Sequence, residues 1–164
     1  PDDDTGILTD RLFRQGAQLL VMTMERWVNG RVKPVPQDHS MATVCTVLMK
    51  KDGMLDFYRT AEELVNQIRA CQPWPGAHTT WEGKRLKILE ALSLLTDAEI
   101  PAEEPGTVIS VREGATVSTA IVTANGLLVL RRIQLAGKRP TDSRECLRGH
   151  PEFVGSQLPS GANS

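Results

Sequence analysis

Apolar residues recur with the period of a helix near the start of the chain. The first stretch contains residues spaced four apart, namely Leu8, Leu12, Gly16 and Leu20. This spacing places side chains on one face of a helix. Asp4 or Thr5 can cap the first free amides, and Gly30 can end the helix. The pattern predicts a helix over residues 4–29 whose apolar stripe needs a covering surface.

A second helix is predicted after a long connector. Residues 31–58 contain two prolines and a turn signal at residues 50–53, which indicate an extended, mostly irregular segment with room for one short strand. A helix is then expected from Thr60, where Glu63 completes a capping box, to Ala70. The Pro-Trp-Pro sequence that follows prevents its continuation.

From Gly76 onward the apolar pattern changes to a period of two, which is typical of strands. Turn signals separate the predicted strands at Glu82-Gly83, Glu113-Gly114 and Asn125-Gly126. Five or six short strands within about 60 residues predict a small closed barrel of the OB type. A short helix over residues 141–147 and a Gly/Ser/Pro-rich tail follow. The expected fold class is therefore α+β.

The composition is ordinary for a soluble globular protein and does not indicate a partner. Hydrophobic residues make up 40% and charged residues 24% of the chain, and the formal net charge is −1. Since no apolar run approaches about 18 residues, no membrane span is expected. Three cysteines without a CxxC pair argue against a disulfide framework or a zinc site and favour a reducing, cytoplasmic compartment.

No catalytic constellation is predicted within the chain. His39, His78 and His150 have no Cys or Asp at a catalytic spacing, and each is interpreted as a surface or turn residue. No Gly-rich loop joins a strand to a helix, so no phosphate cradle of that kind is expected. The acidic start, residues 2–4, is interpreted as helix capping. We therefore predict no catalytic residue and no metal ligand.

Basic residues form the most informative constellation in the sequence. The candidates for nucleic-acid binding are Lys50, Lys51, Lys84, Arg85, Lys87, Arg131, Arg132, Lys138 and Arg139. Clustered cations without an aromatic platform fit an RNA duplex better than a single strand, because duplexes are recognised through shape and backbone. Charge alone is equally compatible with a solvated strand face.

Several short motifs carry a family resemblance. They are PQD at 36–38, KDG at 51–53, QIRA at 67–70, PWPGA at 73–77, GKRLKILEA at 83–91, PGTV at 105–108 and LRGH at 147–150. In this order and spacing the chain resembles the C-terminal half of methionyl-tRNA formyltransferases, over nearly its whole length. The chain starts without a methionine, so we expect it to be part of a longer protein.

The resemblance implies a division of labour between two parts of an enzyme. Residues 1–75 would be the C-terminal helices and linker of a Rossmann-like formyltransferase domain, residues 76–158 an OB-like barrel, and residues 159–164 a flexible tail. The catalytic Asn, His and Asp, and the site for 10-formyltetrahydrofolate, would lie in a preceding domain. This chain would bind initiator methionyl-tRNA through the basic candidates, and the full-length protein would be a monomer.

The resemblance also implies a junction at Arg69 and Trp74. Trp74 can stack on a nucleotide or act as a buried wedge between helix and barrel. We favour the wedge, with Trp81 as the more exposed aromatic residue.

Two alternatives remain open. One is another folate-dependent formyltransferase or hydrolase, and the other is a stand-alone RNA-binding module. An exposed apolar stripe on helix 4–29 would argue against the stand-alone module.

Overall fold

The computed structural model describes residues 3–95, 103–114 and 116–161 of the chain. The chain forms two compact units, Pro1–Leu48 and Met49–Ser164. The second unit starts well before residue 76, where the sequence places the start of the barrel.

The first unit is built on one long helix. Helix α1 spans Thr5–Val28, close to the predicted range, and the side chain of Asp4 accepts a hydrogen bond from the amide of Ile7 as its N-cap. No residue of α1 is buried. A single 3-10 turn at His39–Met41 follows, and no strand occurs between residues 31 and 58.

The second unit combines helices with an antiparallel sheet. Its elements are a 3-10 turn at Lys50–Gly53, α2 at Ala61–Ala70, β1 at His78–Trp81, β2 at Lys84–Leu94, β3 at Val108–Glu113, β4 at Thr116–Val122, β5 at Leu127–Leu135, β6 at Thr141–Asp142, α3 at Ser143–Gly149 and a 3-10 turn at Pro151–Phe153. The strand order is β1-β2-β5-β4-β3, with β6 paired to β5. The predicted short helix therefore begins two residues late, because residues 141–142 pair with β5.

The prediction of a closed barrel is wrong, because the strands form one open sheet. β1 and β3 are its edges among the described residues. Irregular segments occupy both edges: Val108 exchanges backbone hydrogen bonds with Ser156 and Gly155, and the Leu55 amide donates to the His78 carbonyl. Edge strands with unpaired backbone groups are an aggregation hazard, and such coverage removes it without strand closure.

The predicted tail is partly bound to residues 55–57, the segment beside the β1 edge. The Ser160 hydroxyl donates to Asp56 and accepts from the amide of Phe57, and the Gly161 amide donates to Leu55. Residues 159–161 are thus held by hydrogen bonds, and residues 162–164 lie outside the described part.

Helix α2 covers one face of the sheet. Thr60 and Glu63 form the predicted capping box. Leu64 and Ile68 of α2 are buried in a cluster that includes Ile88 and other inward-facing strand residues. Packing against the sheet therefore stabilises residues 49–75, since burial of such side chains contributes about 1.5–3 kcal/mol each.

A register shift changes which residues face the core. The pairing of β2 with β5 is irregular around Glu90. Leu86 and Ile88 before the shift and Ala91 after it all contribute to the same cluster. A bulge of this kind exchanges the inward and outward positions along a strand.

The face of the sheet opposite α2 is polar at one end and apolar at the other. Near the β1–β2 turn it carries polar and charged residues, including Arg85 and Lys87. At the other end a second buried cluster is formed by Ala120, Val122, Leu127 and Val129. The polar end brings several of the basic candidates together.

Candidate anion-binding surface

The turn between β1 and β2 fixes the position of the basic residues. Glu82 and Gly83 have φ values of 48° and 72°, as a type I′ hairpin turn requires. The resulting register pairs Trp81 with Lys84 and His78 with Lys87. Arg85 and Lys87 are two residues apart, so they point to the same face.

Arg85 and Lys87 line a shallow depression of about 200 Å³ together with Gln134, Ala136 and Gly137. Lys87 pairs with Gln134 of β5, and the Ala136 amide donates to the carbonyl of Arg85 at 2.9 Å. The depression therefore lies where β2 begins and β5 ends. Its two cations suit an anion of phosphate size.

His78 lies behind Arg85 and is only 8% exposed. Its Nδ1 is 3.0 Å from the carbonyl oxygen of Gly76, and its Nε2 is 2.8 Å from Nη2 of Arg85. A carbonyl only accepts, so Nδ1 carries the proton. The same Nη2 is also 3.4 Å from Nδ1, which places the guanidinium over the face of the ring. The sequence-based interpretation of His78 as a surface or turn histidine is wrong.

The surroundings of His78 favour its neutral form. Burial lowers the pKa of the ring, the hydrogen bond to the Gly76 carbonyl opposes that effect, and the charges of Arg85 and Lys87 lower the pKa further. The ordinary pKa of histidine is about 6.5 and that of His78 is lowered, so the ring is neutral at physiological pH.

The loop that carries Lys50 and Lys51 packs against the same histidine. A Cβ added at Gly53 would overlap the carbonyl of Gly76 and approach Nδ1 of His78 to 3.2 Å. Both lysines are exposed. The loop therefore delivers two further cations to this end of the sheet.

Helix α2 holds this loop in place. Gln67 donates from Nε2 to the carbonyl oxygens of Asp52 and Met54 at 2.8 and 3.1 Å. Asp52 in turn accepts from the amide of Met49 at 2.6 Å. The Asp52 carboxylate therefore accepts a hydrogen bond from a backbone amide, next to Lys50 and Lys51.

Two more candidates follow the end of β5. Lys138 lies in a turn in which its amide donates to Leu135 and its carbonyl accepts from the side chain of Gln134 at 3.0 Å. Arg139 comes next, and both residues are exposed. Lys84 is exposed at the start of β2. We name Lys50, Lys51, Lys84, Arg85, Lys87, Lys138 and Arg139 the basic patch.

Arg131 and Arg132 are engaged elsewhere. Arg132 lies opposite Asp142 in the sheet and its Nη1 is 3.4 Å from Glu90. Arg131 donates to the hydroxyl of Ser118 at 3.5 Å, as does Arg144 at 3.3 Å. Arg131 and Arg132 therefore contact side chains that do not line the depression.

The two tryptophans at the junction have the reverse of the expected exposure. Trp74 is 53% exposed, whereas Trp81 is 5% exposed. Trp81 packs edge-on against Phe153 and donates from Nε1 to Ser156. The predicted buried wedge at Trp74 is therefore wrong. Arg69, half-buried on α2, donates to Asn66.

Sequence reasoning missed His78, Gln134 and Gln67. The pairing of His78 with Lys87 follows from a two-residue turn and could have been counted from the sequence. The contacts of Gln67 join residues far apart in the chain, and no local pattern announces them.

A family model described as "Formyl transferase, C-terminal domain" matches residues 47–151. The chain therefore belongs to the formyl transferase C-terminal domain family. The match begins two residues before the second compact unit and ends within it, at residue 151.

Curated relatives agree with the resemblance seen in the sequence, which is thereby confirmed. A methionyl-tRNA formyltransferase of Roseiflexus castenholzii is 42% identical over 149 residues, which are 91% of this chain and 46% of that protein. One of Chloroflexus aurantiacus is 40% identical over 149 residues, with the same shares. One of Bacillus pumilus is 36% identical over 157 residues, or 95% of this chain and 48% of that protein. The chain spans about half the length of the curated relatives it matches.

Solved structures are similar in fold. The crystal structure of HypX from Aquifex aeolicus in complex with tetrahydrofolic acid matches with a TM-score of 0.57 at 19% identity, covering 83% of this chain and 22% of that one. A multiple variant of the same HypX gives a TM-score of 0.59 at 18% identity, covering 84% and 24%. At these identities the likeness shows the fold alone.

Proposed function

We propose that this chain is the tRNA-binding part of a methionyl-tRNA formyltransferase. The observation that carries the proposal is the depression lined by Arg85 and Lys87, in a chain about 40% identical to proteins of that name. In the proposed reaction a formyl group passes from 10-formyltetrahydrofolate to the amino group of methionyl-initiator-tRNA. Binding the tRNA body would orient the reacting amine.

The basic patch suits the backbone of folded RNA. Lysine and arginine side chains that neutralise phosphates release counterions and so gain affinity without reading sequence. Trp74, exposed near the first strand, is the one aromatic residue of the junction that can stack on a base. Arg69 belongs to the same junction. Arg131 and Arg132 remain candidates for contacts outside the depression.

The formyl donor fits neither of two depressions that the described residues of this chain form. The depression of the basic patch is about 200 Å³, smaller than the roughly 300–1,000 Å³ of typical cofactor pockets. A groove on α1 is lined by apolar or small residues, Leu12, Phe13, Gly16, Ala17 and Leu20, and offers no polar partner for a pterin. We place the donor site, with the catalytic Asn, His and Asp, in the half of the relatives that this chain does not match.

The exposed side chains of α1 support that placement. Ile7, Leu12 and Leu20 are at least half exposed on this helix. A helix with so much exposed apolar surface is typical of one that packs against further protein. We propose that Pro1–Leu48 packs on the catalytic domain, which disfavours the stand-alone RNA-binding module.

The open sheet, with irregular segments along both edges, supports an OB-like variant for the second unit. We propose that the full-length enzyme is a cytoplasmic monomer. No described helix has the length and apolar character needed to span a bilayer.

A titration with tRNA at several salt concentrations tests the proposed function. The double variant Lys84→Ala/Arg85→Ala is expected to weaken binding by about one to two orders of magnitude at low salt, because two phosphate contacts are lost. The slope of log affinity against log salt should fall by about 1.5. Thermal melts should show that the sheet remains folded.

A matched control removes two exposed cations outside the basic patch. Arg14→Ala/Arg112→Ala changes the net charge equally and is expected to leave affinity nearly unchanged. Equal weakening by both double variants would mean that binding depends on the net charge of the chain and not on the basic patch. The proposed function predicts that the chain binds tRNA and that the affinity falls steeply as salt is raised. If no such binding is measured, the proposed function is wrong and a formyltransferase that acts on another amine is favoured.

The chain by itself is expected to have no formyltransferase activity. Incubation with methionyl-tRNA and 10-formyltetrahydrofolate should leave the amino group free. Formylation by the purified chain would contradict the placement of the catalytic residues in another domain.

A further inference from the structure

Trp74 lies at the exposed tip of the short loop between α2 and β1. It is 53% exposed, although tryptophan is highly buried on average in folded proteins. The residues that follow the loop, 76–79, are buried. A large aromatic side chain is therefore presented to solvent by a segment that is itself anchored in the core.

The loop is ordered without any ligand. The Gly76 amide donates to the carbonyl of Cys71 at 2.9 Å, which closes the loop. Nε2 of Gln72 donates to the carbonyl of Leu89 in β2 at 3.3 Å, and the proline on each side of Trp74 has a fixed φ. A ligand that binds Trp74 therefore loses little free energy to ordering of the backbone.

The same loop borders the basic patch. A Cβ added at Gly76 would lie 3.9 Å from Cε and 4.0 Å from Nζ of Lys87, and one added at Gly53 would overlap the Gly76 carbonyl. Because consecutive Cα atoms are about 3.8 Å apart, the Cα of Trp74 is at most about 7.6 Å from that of Gly76. An RNA strand with a phosphate at Lys87 can therefore bring a neighbouring base to Trp74.

An exposed indole beside cations suits an unpaired nucleotide. Bases inside a duplex stack on one another, so their faces are hidden from side chains, whereas bases in loops, bulges and ends can stack on aromatic rings. Such stacking tolerates any base. The sequence-based preference for a duplex assumed that no aromatic platform accompanies the cations, and Trp74 supplies one because it is exposed.

We propose that Trp74 is a stacking platform for an unpaired base, so that the surface formed by Trp74 and the basic patch binds RNA where a duplex gives way to a single strand. The proposal rests on the proposed function, since it names the kind of RNA segment that the same surface takes. Trp74 contacts the base, and the basic patch contacts the backbone.

Two RNA probes test the proposal: a blunt-ended duplex, and the same duplex with single-stranded extensions at its 5′ and 3′ ends. Trp74→Ala is expected to weaken binding of the extended RNA roughly 5- to 150-fold, the range for loss of an aromatic residue that stacks on a base. Its affinity for the blunt duplex should be nearly unchanged. Equal weakening for both RNAs would overturn the proposal.

Two further substitutions separate stacking from simple apolar contact. Trp74→Phe keeps an aromatic ring and should retain most of the affinity for the extended RNA. Trp74→Leu keeps apolar bulk without a ring and should bind as weakly as Trp74→Ala. If leucine replaces tryptophan without loss, the stacking proposal is wrong.

The salt dependence distinguishes stacking from support of the basic patch. Trp74→Ala should leave the slope of log affinity against log salt unchanged, because an indole neutralises no phosphate. Lys87→Ala should lower that slope by about 0.7–0.9, as loss of one phosphate contact implies. A slope lowered equally by both variants would contradict a role of Trp74 in stacking.

Tyr58 provides a matched control, because it is 64% exposed and lies away from the depression. Its neighbours Phe57 and Arg59 accept hydrogen bonds from the amide of Ala124, just before β5 begins, whereas the depression lies where β5 ends. Tyr58→Ala should leave the affinity for both RNAs nearly unchanged. A loss equal to that of Trp74→Ala would mean that exposed aromatic residues support binding in general.

The outcomes also separate this proposal from the proposed function. If the chain binds RNA with a steep salt dependence but Trp74→Ala has no effect on either probe, the stacking platform is wrong and the proposed function stands. The exposed indole would then be left for contact with another protein surface. If the chain binds no RNA, both proposals are wrong.

A spectroscopic measurement on the unsubstituted chain covers the case in which a Trp74 variant unfolds. The indole N–H signal of Trp74, assigned by its absence from Trp74→Phe or from a variant with another aromatic residue there, should shift on addition of the extended RNA. The blunt duplex should leave it nearly unmoved. An indole signal that does not respond to the extended RNA would overturn the proposal.

Discussion

At the scale of single residues, the contact of Gly53 with Gly76 and His78 sets the position of the Lys50–Lys51 loop. No side chain fits between these backbones, because an added Cβ would overlap the Gly76 carbonyl and crowd the histidine ring. The glycine is needed here for close approach and not for an unusual φ. One methyl group is therefore expected to disturb both the loop and the histidine.

The variant Gly53→Ala is expected to destabilise the chain by about 1–3 kcal/mol, the usual range for an extra methyl group in a packed site. Chemical denaturation monitored by circular dichroism measures the change. Gly149→Ala is a matched control, because nothing lies within 4 Å of the added Cβ, and it should change stability by no more than about 0.5 kcal/mol. Equal effects of the two variants would contradict the contact.

His78 is expected to make stability depend on pH. Its pKa is lowered in the folded chain, first by burial, so the folded state binds fewer protons than the unfolded state below about pH 6.5. Stability from the neutral ring is fully present above that pH. It is lost progressively as the pH falls through the lowered folded pKa.

The measurement compares the original chain with His78→Gln between pH 7.5 and pH 5. The free energy of unfolding should fall with pH more steeply for the original chain, because the glutamine does not titrate. Parallel curves would mean that His78 titrates alike in both states and is not buried as described.

At the scale of secondary-structure elements, α2 joins the sheet to the loop that carries Lys50 and Lys51. Its inner face packs Leu64 and Ile68 on the strands, and Gln67 binds two carbonyls of the loop. A loosened α2 should therefore weaken both the core and the basic patch.

Removal of the N-cap tests this role. Thr60→Ala deletes the hydroxyl that accepts from the Glu63 amide at 3.2 Å, and such losses cost about 1 kcal/mol. Glu62→Ala, an exposed change in the same turn, should stay within about 0.5 kcal/mol. Denaturant midpoints of both variants check the prediction, which would fail if Thr60→Ala were as stable as the control.

The helices, hairpin turns and capping box could be predicted because each depends on neighbours in sequence. The Glu82-Gly83 turn sets the pairing of β1 with β2 by its own geometry. The open sheet and the irregularity at Glu90 could not be predicted, because they depend on how distant strands meet. Trp74 and Trp81 were assigned in reverse for the same reason: Trp81 is buried by residues 153–156, about 70 positions away in the chain.

At the scale of the whole molecule, the two compact units account for different parts of the proposed enzyme. The helix of Pro1–Leu48 exposes apolar side chains, and Met49–Ser164 carries its own core and the basic patch. A net charge of −1 conceals this patch, because acidic residues elsewhere balance it. Local charge, and not the total, decides the partner.

Contact between the basic patch and the RNA backbone underlies the proposed function. Backbone amide chemical shifts of the ¹⁵N-labelled chain, recorded during addition of tRNA, test it most directly. The largest changes are expected at residues 50–53, 76–78, 84–87 and 134–139, and they should weaken as salt is raised. Changes confined to β3 and β4 or to α1, or none at all, would contradict the claim.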